Sequence, residues 1–203
     1  KSSLLNQLLG EERTVVSDVP GTTRDAIDDQ IEHAGRHITL VDTAGIKRRG
    51  KIASGPVAEK YATVRSVAAL DRADVALLII DASTGLQAQD LHVAGSVIDA
   101  GKGLVIVMNK WDLVDKDGFT FDTAMGLIRR QAPFLDFATI VSISALTGLR
   151  ATKVLDAAIA AADARQLRIP TGALNRLVAE AVARQGPVHS GSKRPKILYA
   201  AQA

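Results

Sequence analysis

Cysteine is absent from the 203 residues, which excludes disulfides and thiolate metal centres and fits a reducing compartment, by default the cytoplasm. Aromatic residues are scarce at 3%, too few to build a stacking platform for single-stranded nucleic acid. No apolar run approaches the roughly 20 residues that a bilayer-spanning helix needs, and the N-terminus lacks the charged-then-apolar pattern of a signal peptide. A soluble cytoplasmic protein with no membrane partner is therefore expected. An initiator methionine is also missing; the chain opens on Lys1-Ser2, in mid-motif. What is present is apolar material for a core, 47% of residues, with a net charge of +3 and a pI near 9.3. Such a charge suits an RNA or ribosome partner and equally an ordinary soluble protein. The length fits one medium domain, or one domain plus a small second piece.

Apolar strands and amphipathic helices alternate along the chain. Gln30 to Glu32 and His37 to Val41 read as a hairpin turning at Ala34-Gly35. Val57 to Leu70 reads as a helix, Val75 to Ile80 as a strand, Gln87 to Ala100 as a helix, and the run from Leu104 to Met108 as a strand buried on both faces. A helix from Asp122 to Gln131, a strand from Ala138 to Val141 and a helix from about Ala151 to Arg165 follow. Alternation of this kind calls for an α/β fold with a mostly parallel sheet and helices on both faces. Past Ile169-Pro170 the pattern changes. Thr171 can cap a helix with Leu174, Leu177, Val178, Ala181 and Val182 on one face, and Ile197 to Tyr199 reads as a short strand.

Several motifs stand at the carboxyl ends of these strands, where ligands bind in open α/β sheets. The apolar run ends at Asn109-Lys110-Trp111-Asp112. A carboxylate there can accept two parallel hydrogen bonds from an N–H beside an NH₂, the edge that guanine presents and adenine does not. The Asn109 amide can bond the base while fixing the loop, and the Lys110 stem can lie along the ring. A solvated turn would carry the same letters. Lys1-Ser2 before a helix looks like the end of a phosphate-binding loop, or an ordinary helix cap. In the Pro-Gly loop from Val19 to Asp25, Thr23 offers a hydroxyl to a metal; a surface turn is the plainer alternative. Asp42-Thr43-Ala44-Gly45 follows a strand, so the aspartate can hold Mg²⁺ through water and the glycine lets a backbone N–H approach a γ-phosphate. Asp-x-x-Gly is also a common turn. The basic segment from Ile46 to Lys51 has no hydrophobic period and is expected to be mobile.

Four weak signals in fixed order weigh more than any one. Lys1-Ser2, Thr23, Asp42-x-x-Gly45 and Asn109-Lys110-x-Asp112, with Ser144-Ala145 last, resemble the five guanine-nucleotide motifs of translation-factor-type P-loop GTPases. Pro20-Gly21-Thr22-Thr23-Arg24-Asp25, Asp42 to Ile46 followed by Lys47-Arg48-Arg49-Gly50-Lys51, and Trp111 within its motif are similar to the bacterial Der (EngA) family, its second GTPase domain above all. Thr171 to Leu177 resembles the start of that family's KH-like domain. The resemblance implies a GTPase domain over residues 1–167 and a KH-like segment over 168–203. It implies GTP contacts from Lys1, Ser2, Ser3, Asp42, Thr43, Ala44, Gly45, Ile46, Asn109, Lys110, Trp111, Asp112, Ser144, Ala145 and Leu146. Lys1, Thr23 and Gly45 would be catalytic, and Ser2, Thr23 and Asp42 would hold Mg²⁺, with K⁺ as a second candidate ion. GTP and GDP, together with ribosomal RNA of the large subunit during its assembly, are the implied partners; DNA is not.

Two departures from the family pattern stand out. The glycine-rich half of the phosphate loop and the strand before it are missing ahead of Lys1, so weak GTP binding is expected of the chain by itself. Gly45 is followed by Ile46, where many GTPases carry a water-positioning glutamine; that is normal for the resembled family and leaves the catalytic group unidentified. Hydrolysis of GTP to GDP is the first functional reading. The second is a ribosome or RNA-binding module in which guanine nucleotide is only a structural ligand, favoured by the basic stretches Lys47 to Lys51 and Lys193 to Lys196. An ATPase of the same fold fits Asp112 poorly.

Overall fold

The computed structural model describes residues 1–11, 28–41, 68–115, 120–185 and 196–202. In chain order these form α1 (Ser2–Glu11), β1 (Asp29–His33), β2 (Arg36–Leu40), β3 (Val75–Asp81), α2 (Ala88–Asp99), β4 (Gly103–Asn109), α3 (Phe121–Gln131), β5 (Thr139–Ser142), α4 (Lys153–Gln166) and α5 (Thr171–Arg184). Residues 68–72 are also helical, the end of the helix expected from Val57 onward. The loop from Val19 to Asp25, the basic segment from Ile46 to Lys51 and the rest of that helix lie outside the described residues. The chain divides into two compact units, Lys1–Arg165 and Gln166–Ala203.

The first unit is built around β4. It pairs in parallel with β3 on one side and β5 on the other. Because side chains alternate along a strand, Val105 and Val107 enter one face, where they meet Leu4 and Leu8 of α1, Ile31 of β1, and Val154 and Leu155 of α4. Leu104, Ile106 and Met108 enter the other, with Ala94 and Val97 of α2 and Ala124 and Ile128 of α3. Helices therefore cover both faces, as the uninterrupted apolar run predicts. Burying each such Leu, Ile or Val contributes about 1.5–3 kcal/mol, so this strand anchors the unit. At its start Gly103 is closely surrounded: a Cβ would lie 3.0 Å from Val75 Cγ2, 3.3 Å from Arg165 Cδ and 3.4 Å from the Asp74 carbonyl oxygen, so a larger residue would have to push its neighbours aside.

Local chemistry sets the remaining boundaries. Ala34 and Gly35 both have positive φ, 51° and 73°, the two-residue turn whose twist suits a hairpin. The hairpin is fastened to one face of α4 by Arg36, bidentate on Asp163 at 2.6 and 3.1 Å, and by His33 Nε2 at 2.7 Å from Asp156. His33, and then Lys153, hold the Asp156 carboxyl below its ordinary pKa. The Thr120 hydroxyl caps α3 by accepting from the Thr123 N–H at 3.3 Å. Among the described residues no helix is long and apolar enough to cross a membrane.

The second unit departs from expectation in two places, the cap of α5 and residues 197–199. Pro170, not Thr171, stands at the cap of α5; its carbonyl oxygen accepts the N–H groups of Ala173 and Leu174 at 2.9 and 3.0 Å. The apolar face of that helix buries no residue, and Leu177 is 60% exposed. Residues 197–199 are not a strand, and Leu198 is 80% exposed. High β-propensity needs a neighbouring strand to be realised, and here the next backbone groups are met by a side chain instead. The Asn175 amide donates to the Ala200 carbonyl and accepts from its N–H, both at 2.9 Å.

Candidate functional site

The carboxyl ends of β3, β4 and β5 lie side by side, with Asp81 opposite Asn109 and Met108 opposite Ser142. After Asn109 the chain turns sharply because Lys110 is left-handed, φ 63° and ψ 36°, and a single 3₁₀ turn, Trp111–Leu113, follows. The turn is tied to the loop after β5. Asn109 Oδ1 accepts the Ala145 N–H at 2.9 Å, and the Trp111 N–H donates to the Ile143 carbonyl at 3.0 Å. Ser144 is fully buried; its N–H donates to the Leu149 carbonyl at 3.0 Å and its Oγ accepts from the Thr147 N–H at 3.2 Å. Arg150, also left-handed at φ 57°, reaches back to donate to Ser142 Oγ at 2.8 Å. Two loops from separate strands thus make one platform, beside which Asp112 stands exposed. A carboxylate held there in water-accessible space is an acceptor pair for a flat donor edge.

Electrostatics adds a group from the third strand. Lys110 Nζ lies 2.5 Å from Asp81 Oδ2, and Asp81 Oδ1 accepts the Ser83 N–H at 3.0 Å and its hydroxyl at 2.6 Å. Lys110 and then Ser83 hold the Asp81 carboxyl down to a pKa of about 2. A carboxylate with a depressed folded pKa contributes stability above its unfolded pKa of about 3.9, and that contribution is lost as pH falls toward the folded value. The Asp81 carboxyl is accordingly expected to stay ionised at pH 3.5, where most unpaired aspartates are protonating. A carbon-detected NMR titration checks it; a midpoint near 4 would mean the pair does not form in solution.

Of the residues expected at the site, Lys1, Ser2 and Ser3 stand exposed at the start of α1 while Leu4 and Leu8 bury its other face. Asn109, Lys110 and Asp112 on one loop and Ser144 and Ala145 on the other are brought side by side by the bonds from Asn109 to Ala145 and from Trp111 to Ile143. Leu146 is 82% exposed at the rim of the β5 loop. Trp111 is 6% exposed, its ring in the core and edge-on to Phe121 with centroids 6.1 Å apart. The 3₁₀ turn rotates it inward, leaving its backbone as the part that faces the platform. Thr23, Asp42, Thr43, Ala44, Gly45 and Ile46 lie outside the described residues.

Sequence reading missed Asp81, Ser83 and Arg150; an aspartate closing the strand that neighbours Asn109 was the available signal. Among the described residues no three His, Cys, Asp or Glu side chains gather to hold a metal. Mg²⁺ needs no such cage, since it binds hard oxygens through one or two side chains plus phosphates and waters. The hydroxyls of Ser2 and Thr23 with the Asp42 carboxylate are a donor set of that kind.

Comparison with known proteins converges on one group. The family model described as "50S ribosome-binding GTPase" matches residues 1–110. GTPase Der of Chloroflexus aggregans is 52% identical over 188 residues, covering 93% of this chain and 41% of that protein. GTPase Der of Desulfitobacterium hafniense is 46% identical over 202 residues, covering 100% of this chain and 45% of that one. The chain spans about half the length of the curated relatives it matches. Among solved structures, Era in complex with MgGDPNP and nucleotides 1506–1542 of 16S ribosomal RNA superposes with a TM-score of 0.55 at 27% identity, over 79% of this chain and 52% of that chain. An Aquifex aeolicus Era variant bound to GDP·AlF4⁻ gives 0.54 at 23% identity over the same shares, a likeness of fold.

Proposed function

Because the chain belongs to the 50S ribosome-binding GTPase family and has its P-loop GTPase fold, we propose that the platform at the ends of β3, β4 and β5 reads guanine and that the protein hydrolyses GTP to GDP and phosphate. The observation that carries this is the Asn109 Oδ1 bond to the Ala145 N–H at 2.9 Å, which joins two base-recognition loops into one rigid acceptor and donor surface beside Asp112. Asp112 accepts from the guanine N–H and NH₂, Asn109 braces the loop, and the buried Ser144-Ala145 turn faces the base carbonyl. Lys1 neutralises charge on the β- and γ-phosphates, and a backbone N–H at Gly45 meets the γ-phosphate. Bound Mg²⁺ would supply further charge neutralisation, and Ser2, Thr23 and Asp42 are the residues that would hold it. Residues 168–203 are read as the start of a KH-like domain.

A role in assembly of the large ribosomal subunit, and with it a cytoplasmic setting, is supported by the family's description and by the Der relatives. Binding is tested by calorimetric titration of the full-length protein with GDP and GTP, and hydrolysis by phosphate release. Tight binding with no phosphate release above background would leave the nucleotide as a structural ligand of a ribosome-binding module.

Hydrolysis is expected to be slow and independent of the Ile46 side chain, since an aliphatic group neither orients nor deprotonates water. Ile46→Ala should change turnover by less than about tenfold, whereas Thr23→Ala or Asp42→Ala, which remove oxygen donors near the phosphates, should cost more. Single-turnover phosphate release at saturating GTP measures all three. A collapse of turnover in Ile46→Ala with nucleotide affinity intact would contradict this account.

A further inference from the structure

Asp81 ends β3 directly opposite Asn109, and the Ala82 N–H donates to the Asn109 carbonyl at 2.8 Å, so the position of one is locked to that of the other. The carboxylate of Asp81 is itself fixed. One oxygen accepts both donors of Ser83, at 3.0 and 2.6 Å, and the residue's carbonyl accepts the N–H of Gly85 at 2.9 Å. The loop can close this tightly because Gly85 takes φ +69°. That leaves the second carboxylate oxygen for Lys110, at 2.5 Å. Lys110 needs an anchor. Its backbone is left-handed, and its four-carbon stem has several rotatable bonds.

We propose that Asp81 is a positioning residue for guanine nucleotide, holding the Lys110 ammonium so that the lysine stem is already laid beside the base site before nucleotide arrives. The proposal rests on the guanine-site reading above and extends it to a third strand. An arrangement of this kind lowers the ordering cost of binding and lengthens residence without touching the reacting phosphates. Its signature is therefore a change in nucleotide release and KM with kcat preserved.

Asp81→Asn is the sharpest test, because it keeps the size of the side chain and an oxygen for Ser83 while turning the oxygen that faces Lys110 into an NH₂. Release of fluorescent GDP from the full-length protein is followed by stopped flow, in the kinetic phase that Asp112→Asn removes. Lys110 is half-exposed, so the pair is worth less than a buried one; release should quicken about three- to tenfold, with KM for GTP raised in step. Lys110→Met should quicken release at least as much, and Asp81→Asn should add nothing in that background, since residues that act as one unit are not additive. Ser83→Ala, which only loosens the clamp, should move release the same way by less.

Unchanged release in Asp81→Asn overturns the proposal, and so does an undiminished effect when Lys110 is already Met. Slower release would also overturn it, by showing the ion pair to be a latch that nucleotide must open. Should Asp81→Asn fail to fold, Ser83→Ala decides alone, and no change in its release rate counts against the proposal. Failure of the unaltered protein to bind GDP removes the guanine-site reading and this one together; normal binding with a silent Asp81→Asn removes this one only.

Discussion

Asp112→Asn is expected to turn a guanine site into a xanthine site. Guanine offers N1–H and the exocyclic NH₂ side by side, and an ionised carboxylate accepts both. The substitution replaces one acceptor with an NH₂ that meets the guanine amine donor to donor, leaving polar groups unpaired where the base covers them. Xanthine carries a carbonyl in place of that amine, so the new NH₂ has a partner. A site built around such a bond rejects the analogue that cannot make it by about a hundredfold or more. The platform itself should survive. Asn109 Oδ1 to Ala145 and Trp111 N–H to Ile143 hold the two loops together, Ser144 Oγ to Thr147 braces the second loop from within, and none of these bonds passes through the Asp112 carboxylate. Competition binding between GTP and xanthosine triphosphate on the full-length protein reads the change. The appearance of a xanthosine triphosphate site is the expected result, and an unaltered preference for GTP would take Asp112 out of base recognition.

What the sequence could show was decided by whether the cause is local. Five consecutive apolar residues from Leu104 to Met108, β-branched ones at their centre, read as a strand covered on both sides, and Asn109 at its end could be assigned a loop-fixing amide from its type and position alone. The Ala34-Gly35 turn, and the alternation that puts helices on both faces, were legible for the same reason. Other features depend on what lies opposite. Asp81 meets Lys110 only because β3 and β4 pair in one particular register, which no periodicity reports. Arg150 reaches Ser142 through a left-handed turn that its residue type does not announce. Ile197 to Tyr199 has the composition of a strand, yet Asn175 occupies the adjoining backbone groups and no ladder forms. The burial of Trp111 was not legible, because flanking charged residues give its segment the look of a solvated loop, whereas one 3₁₀ turn suffices to send the ring inward.

That inward turn leads to a second large effect, on stability in place of specificity. Trp111 packs in the same cluster as Met108, Ala124 and Ile128 and is edge-on to Phe121, ring planes 76° apart. Trp111→Ala deletes the indole and leaves a cavity between the β4 loop and α3 that the close-packed surroundings can fill only partly. Truncations of this size cost about 3–5 kcal/mol, a large share of the 5–15 kcal/mol by which a typical domain is stable. The melting temperature is expected to fall by roughly 10 °C or more. Trp111→Phe, which keeps an aromatic body in the cluster, should lose clearly less. Base preference should persist in Trp111→Ala at temperatures where the variant is folded, because the groups proposed to read the base, Asn109, Asp112 and the backbone of the turn, are left in place. Thermal melts by circular dichroism, paired with GTP and ATP competition well below the transition, separate the two roles of this position. An almost unchanged melting temperature, with guanine affinity lost while the protein stays folded, would move the indole out of the core and into the nucleotide site.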